Sequence, residues 1–224
     1  MNTVVNARHR RIKKGEDGNV AFKVTYVDRN WSGVCSEKGY KDNLADGRIW
    51  CNIQGESGYN CQDGGDVDED TYPCLDSVAL KTLRFSPGMT HGENIKDTPK
   101  MCLNAKVGKL VLFTSRKPGE LENSRFIFAV GKIAKIQDPD ESDNGMQMFH
   151  CNKETALKFS KLYYPKFWDY HNNPNKMESI SWATGLFRYI SDATVNHLLE
   201  DVIKNRGFSE RQKQAANKLI EAVR

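Results

Sequence analysis

Apolar and polar residues alternate along several short stretches of the chain, as in half-buried strands. Residues 20–27, "VAFKVTYV", predict a strand, and "VGKLVLFTSRK" and "SRFIFAVGKIAKIQD", joined by "PGELEN", predict a hairpin. "GRIWCNI" at 47–53, "MQMFHCN" and "SISWATGLFRYI" predict three more strands. Residues 54–74 and 86–100, rich in Gly, Asp or Pro, predict mostly loop, and 75–85 fit either a helical turn or a strand edge.

Helical spacing of apolar residues appears in the second half of the chain. It predicts a helix from Ala156 to Leu162, ended by Pro165. A second helix begins after Ser191, a predicted N-cap, and places Val195, Leu198, Leu199, Val202 and Ile203 on one face. A third begins with a capping box from Ser209 to Gln212.

This order of elements predicts an α+β fold whose strands curl into a small twisted β-barrel with flanking helices and a C-terminal helical segment. Residues 1–19 are predicted to be a basic flexible arm, and residues 20–204 a single domain. Residues 205–224 are predicted to be a C-terminal helix that belongs to this domain or links it to a further one.

The composition narrows the class of protein. No apolar run reaches the ~18 to 20 residues of a membrane span, and the charged start "MNTVVNARHRRIKKGEDGN" lacks the apolar core of a secretory signal. We therefore expect a cytoplasmic protein, without a membrane partner, whose six cysteines are reduced thiols. The net charge of +4 is unevenly spread, because "RHRRIKK" is basic and "DGGDVDED" is acidic. A basic face for an anionic polymer is compatible with this distribution.

Metal binding and catalysis have weak signals. Four cysteines are candidate zinc ligands: Cys35, Cys51, Cys61 and Cys74. They are separated by 16, 10 and 13 positions and so lack the close pairs of a zinc knuckle. We therefore interpret them as packing residues and keep a structural zinc as an alternative. Asp66, Asp68 and Asp70 alternate as in a calcium loop, but the glycine and the distant glutamate of such a loop are missing. No phosphate-binding glycine loop, nucleophile elbow or paired-histidine helix is present, and we predict no catalytic residue and no cofactor.

Aromatic residues carry the clearest functional signal, because many of them fall in predicted loops or at strand ends beside cations. Such a combination suits stacking on a base while the cations hold phosphates. The residues are Trp31, Trp50, Tyr59, Tyr163, Tyr164, Phe167, Trp168, Tyr170 and Trp182, with Arg29, Arg48, Arg116, Lys117 and Arg125 as the cations.

Three blocks resemble the PUA-like superfamily, which includes EVE, YTH, ASCH and SRA domains associated with nucleotide modification. "NWSGVCSEKGYKDN…WCN" resembles the tryptophan, glycine and cysteine signature near the start of some members. "VGKLVLFTSRK…SRFIFAVGKIAKI" is similar to the central hairpin, although "KVGK" lacks the acid that often follows the glycine. "ISWATGLFRYISDATVNHLL" resembles the closing strand and helix, so the match spans roughly residues 20–204.

The resemblance implies a non-enzymatic reader domain that flips a modified base of DNA, or of RNA, into an aromatic pocket. Such domains commonly serve modification-dependent restriction or phage-defence systems, with an effector nuclease or nucleoside triphosphatase in the same chain or in a partner. The implied base-pocket residues are Trp31, Ser32, Gly33, Asn43, Trp50, Asn52 and Trp182. The implied phosphate-binding residues are Arg29, Arg48, Arg116, Lys117 and Arg125.

Two other functions stay open at this point. The first is a metal-dependent nuclease or nucleotide-processing enzyme whose acids come from Asp66 to Asp70 or from Glu120 and Glu122. The second is a zinc-stabilised protein-interaction module built on the four cysteines named above.

Overall fold

A computed structural model gives the fold of the protein. It describes residues 18–27, 35–46, 74–92, 95–142, 145–159, 163–171, 181–182 and 185–221. Within these ranges the chain combines strands and helices in an α+β arrangement, as the sequence predicts. No helix in this part of the chain is both long and apolar enough to cross a membrane.

Nine strands and five helices lie in the described ranges. The strands are β1 (Asn19–Lys23), β2 (Arg84–Phe85), β3 (Met89–Gly92), β4 (Ile95–Pro99), β5 (Leu110–Ser115), β6 (Phe126–Gln137), β7 (Met148–Cys151), β8 (Leu157–Lys158) and β9 (Phe187–Ile190). The helices are α1 (Glu37–Ala45), α2 (Leu75–Thr82), α3 (Phe167–Tyr170), α4 (Asp192–Lys204) and α5 (Glu210–Glu221). Two short 3-10 turns cover Glu122–Ser124 and Pro139–Glu141.

Seven strands form the main sheet, in the order β2-β7-β6-β5-β1-β9, with β8 paired to β6 off this path. The predicted hairpin is confirmed as the antiparallel pair β5 and β6. Strand β1 runs parallel to β5 and antiparallel to β9. Strands β3 and β4 form a separate two-stranded sheet.

The main sheet is strongly curled but is not closed into a barrel. Phe22 of β1 lies 5.0 Å from the Phe85 ring of β2 and 5.4 Å from the Phe149 ring of β7, measured between ring centroids. Because β2 and β7 lie at the far end of the strand order from β1, these contacts require the sheet to fold over its own face. No described pairing joins the edge strands β2 and β9, so the predicted small barrel is not confirmed.

The opposite face of the sheet is covered by the C-terminal helices. Helix α4 begins at the predicted cap, because the Ser191 side chain accepts a hydrogen bond from the Thr194 N–H at 3.2 Å. Helix α5 begins with the predicted capping box, in which Ser209 N–H donates to Gln212 Oε1 at 3.0 Å. Both helices place buried apolar side chains in the same core as Ala21 of β1 and Leu112 of β5: Val195, Leu198, Leu199 and Val202 from α4, and Ala216 and Leu219 from α5.

Two local predictions need correction, and one open choice between helix and strand is resolved. Residues 86–100 are not mostly loop, because β3 and β4 occupy much of this range and end at Pro99. Residues 75–85 form helix α2 followed by β2, so both of the alternatives for this stretch are realised in turn. The helix predicted from Ala156 is wrong where the chain is described: Leu157 and Lys158 form β8, which pairs with β6.

Candidate nucleic-acid interface

A cavity of about 220 Å³ opens where α2, β6 and β8 meet. Its walls are buried apolar side chains, and its rim carries two exposed lysines, Lys81 of α2 and Lys158 of β8. The apolar lining consists of Leu80, Leu83, Phe128, Ala129 and Phe159. The volume lies below the ~300 Å³ at which pockets for drug-sized ligands begin, so the cavity has room only for a small group.

Two further cations lie near Lys158, one of the two lysines that line the cavity. Partial burial, followed by the positive charges of Lys153, Arg211 and Lys81, lowers the pKa of Lys158. A lowered lysine pKa means that the charged form is disfavoured. For Lys158, repulsion from three further cations adds to the effect of burial. We call Lys81, Lys153, Lys158 and Arg211 the basic rim; a bound anion would relieve the repulsion among them.

A second group of basic residues crosses the neighbouring strands. Arg84 of β2 lies opposite His150 of β7 in the strand register, and His150 lies opposite Lys135 of β6. Burial, then the charges of Arg84 and Lys135, lowers the pKa of His150. We call these three residues the basic row. It adjoins the basic rim, because Arg84 follows directly after Leu83, which lines the cavity.

The sequence offers little signal for this surface. The four residues of the basic rim come from α2, from the turn before β8, from β8 itself and from α5, so no run of basic residues marks them. The helical spacing around β8 gives no sign that Lys158 and Lys81 of α2 line one cavity. Only the sheet pairing of β8 with β6 brings the scattered cations to one rim.

Trp182 lies in a cluster of arginines and aromatic rings. The guanidinium carbon of Arg125 is 4.8 Å from the Trp182 ring centroid, and that of Arg188 is 5.3 Å from it. Arg188 also lies 5.7 Å from the Trp168 ring. Trp182 is only 3% exposed. In this conformation, cations and protein atoms cover the ring that the sequence assigns to a base pocket.

Arg125 and Arg116 share the carboxylate of Glu122. Arg125 is 0% exposed and donates to both oxygens of Glu122, with the Nη2 contact at 3.1 Å. Arg116 pairs with Asp46 at 2.8 Å and lies 3.7 Å from Glu122. A fully buried guanidinium does not reach a phosphate at the surface, so the geometry favours a structural role for Arg125. Lys117, the third predicted phosphate ligand in this region, is exposed.

Asn43, on the buried side of α1, packs against Cys35. Asn43 is 1% exposed, and its amide donates to the Tyr26 carbonyl at 2.8 Å and contacts Cys35 Sγ at 3.7 Å. These contacts use the amide for packing rather than for reading a base edge. Cys74 Sγ caps α2 by accepting from Ser77 N–H at 3.4 Å. The described ranges hold no cluster of three or more His, Cys, Asp or Glu residues that could bind a metal ion.

Several predicted positions lie outside the described residues. They comprise most of the first aromatic stretch, two of the four cysteines and the acidic run: Arg29, Trp31, Ser32, Gly33, Arg48, Trp50, Cys51, Asn52, Cys61, Asp66, Asp68 and Asp70. Their predicted roles stay predictions.

Comparison of the chain with protein-family models, with curated proteins and with solved structures finds no match.

Proposed function

We propose that this protein is a non-enzymatic, PUA-like reader of duplex nucleic acid that accepts one modified base. The observation that carries the proposal is the cavity between α2, β6 and β8, in which Lys81 and Lys158 join an apolar lining and two further cations lie near Lys158. A nucleotide has the matching chemistry, since its base is planar and its phosphate is anionic. The proposal places the base in this cavity and the adjacent phosphates on the basic rim.

Contacts at the cavity can offset the free energy of extruding a base from a duplex. Extruding a base from a duplex costs a few kcal/mol, which contacts with aromatic and apolar walls can offset. Phe128 and Phe159 supply two rings at the cavity, and both are fixed within the core. The basic row extends the positive surface beyond the cavity, as a polyanion longer than one nucleotide requires. In a modification-dependent defence system, an effector nuclease or nucleoside triphosphatase would respond to such a reader.

One experiment separates base insertion from charge attraction. Ala129 lines the cavity and is 1% exposed, so Ala129→Leu fills part of the space where the base would lie. Fluorescence polarisation with duplexes that carry unmodified or modified cytosine or adenine measures both the affinity and the preference. We expect wild-type protein to prefer one modified duplex, and Ala129→Leu to lose that preference while salt-dependent binding remains. Thermal unfolding checks that the variant is folded.

The charge contribution is measured with a matched pair of variants. Lys158→Gln removes a rim cation, and we expect it to weaken binding about tenfold and to lower the salt-dependence slope by about one. Lys38→Gln removes the same charge from α1 and is the control. The Lys38 side chain is 82% exposed and does not line the cavity, so this variant should change the affinity and the salt-dependence slope little. Equal affinity of wild type for all duplexes, modified or not, would contradict the reader function. If Trp31→Ala or Trp50→Ala removes the preference and Ala129→Leu does not, the base binds at the first aromatic stretch instead.

A further inference from the structure

Two lysines from different elements line the same apolar cavity. Lys81 of α2 and Lys158 of β8 both belong to its wall, and the other lining residues are apolar and buried. An ammonium group loses more hydration beside such a wall than a neutral amine does. The cavity therefore favours the neutral amine of a lysine over its charged form.

Two further cations reach Lys158 from neighbouring segments. The Gln212 side-chain amide, at the start of α5, donates to the Lys158 carbonyl at 2.9 Å, and Arg211 is the residue before it. Lys153 lies in the turn before β8. Burial first, and then the charges of Lys153, Arg211 and Lys81, lowers the pKa of Lys158. A larger fraction of Lys158 than of an ordinary lysine is thus the nucleophilic amine.

Carboxylates do not offset this positive charge. Within the described ranges, none of the four cations of the basic rim forms an ion pair. Glu210 of α5, next to Arg211 in the sequence, is paired with Lys213 at 2.8 Å. The rim is therefore electrostatically suited to gain a negative charge.

A neutral lysine amine among cations has the chemistry to bind carbon dioxide. The amine lone pair attacks the carbon atom, an N–C bond forms, one C=O π bond opens, and a proton passes to water. The net reaction is R–NH₂ + CO₂ → R–NHCOO⁻ + H⁺, without oxidation or reduction. Because the product is an anion, the repulsion of Lys158 by its three cationic neighbours becomes attraction. Carbon dioxide is small and apolar, which matches a cavity of about 220 Å³ with an apolar lining.

We propose that Lys158 is a carbon dioxide-binding residue, whose amine forms a carbamate at the cavity that Lys81 also lines. Formation of the carbamate does not depend on the proposed function. Its consequence for nucleic acid does rest on that function: the carbamate reverses one charge of the basic rim and lowers the affinity for DNA.

Trapping with triethyloxonium ions tests the carbamate directly. This reagent converts a carbamate into a stable ethyl ester, and peptide mass spectrometry assigns the ester to a residue. The assignment is needed because α-amino groups, with their low pKa, also bind carbon dioxide. With full-length protein and dissolved carbon dioxide at constant pH, we expect Lys158 to be the trapped lysine.

Three variants examine the site. Lys158→Arg should lose the product, since a guanidinium stays protonated. Lys81→Gln should lower the trapped fraction at Lys158 about two- to fivefold, because it removes one stabilising cation. Lys38→Gln is the matched control: the Lys38 side chain is 82% exposed and lies outside the rim, so the fraction at Lys158 should not change.

No product at Lys158, or equal trapping at Lys158 and Lys38 of wild type, would overturn the carbamate. An unchanged trapped fraction in Lys81→Gln would overturn the role of the rim cation.

Fluorescence polarisation distinguishes this inference from the reader function. At constant pH and ionic strength, carbon dioxide should weaken duplex binding by wild type, and the affinity of Lys158→Arg should not respond to it. An equal response of both proteins would overturn the coupling of the carbamate to DNA. If the carbamate is trapped and wild type binds no duplex, the carbon dioxide site stands and the reader function is overturned. If wild type binds duplex and no carbamate is trapped, the reverse holds.

Discussion

This protein buries a charged side chain, that of Arg125, inside its fold. Arg125 is fully buried, and its guanidinium is bound by Glu122 and covers a face of the Trp182 ring. Such an arrangement stabilises the fold only while the carboxylate remains, because an uncompensated buried cation is strongly unfavourable. The arginine and tryptophan that the sequence assigns to ligand binding are thus bound to each other.

We therefore predict that Glu122→Gln lowers the free energy of unfolding by about 3–5 kcal/mol, since it removes the carboxylate from a buried pair. Chemical denaturation measures the change. Glu200→Gln is the control, because the Glu200 to Lys204 pair is solvent-exposed and should contribute within about 0.5 kcal/mol. A loss as small as that of the control would show that Arg125 does not depend on Glu122.

At the scale of elements, sequence patterns predict those parts of the chain in which the local signal and the tertiary packing agree. The Ser191 and Ser209 caps, the hairpin of β5 and β6, and β1 follow this rule. Strand β8 does not: its two residues sit within a sequence of helical spacing, and only pairing with Ala129 and Val130 of β6 makes them a strand. Such long-range pairing leaves no local pattern, and the cavity that it creates could not be predicted either.

Strand β6 depends on one glycine for its close contact with β7. A Cβ atom at Gly131 would lie 2.8 Å from Cys151 Cβ and 3.1 Å from Cys151 Sγ, closer than atoms in a packed core approach. We predict that Gly131→Ala destabilises the protein by about 1–3 kcal/mol through overpacking. Chemical denaturation of the single variants Gly131→Ala and Cys151→Gly and of the double variant tests the contact. If the two changes are additive, the steric explanation is wrong.

At the scale of the whole molecule, positive charge is concentrated where the basic rim meets the basic row. The pKa values of Lys158 and His150 are both lowered, first by burial and then by neighbouring cations. None of the predicted site residues that the structure describes belongs to the rim or the row, because sequence reasoning weighs residue types such as tryptophan. The cations of the rim and row are common residue types, and only their convergence distinguishes them.

This charge distribution predicts that DNA binding is coupled to proton uptake. In the free protein burial, followed by the charges of Arg84 and Lys135, holds the His150 pKa below its ordinary value of 6.5, so at pH 7 the imidazole is mostly neutral. A phosphate placed on the basic row would favour the imidazolium and raise this pKa, and linkage then requires that affinity increase as the pH falls from about 7 towards 6.

Calorimetry in buffers of different ionisation enthalpy measures the protons taken up, and NMR titration assigns them. His150→Gln should abolish the proton uptake in this pH range. His197 lies on α4, outside the basic row, so His197→Gln should retain the uptake. Unchanged uptake in His150→Gln would place the anion away from the basic row.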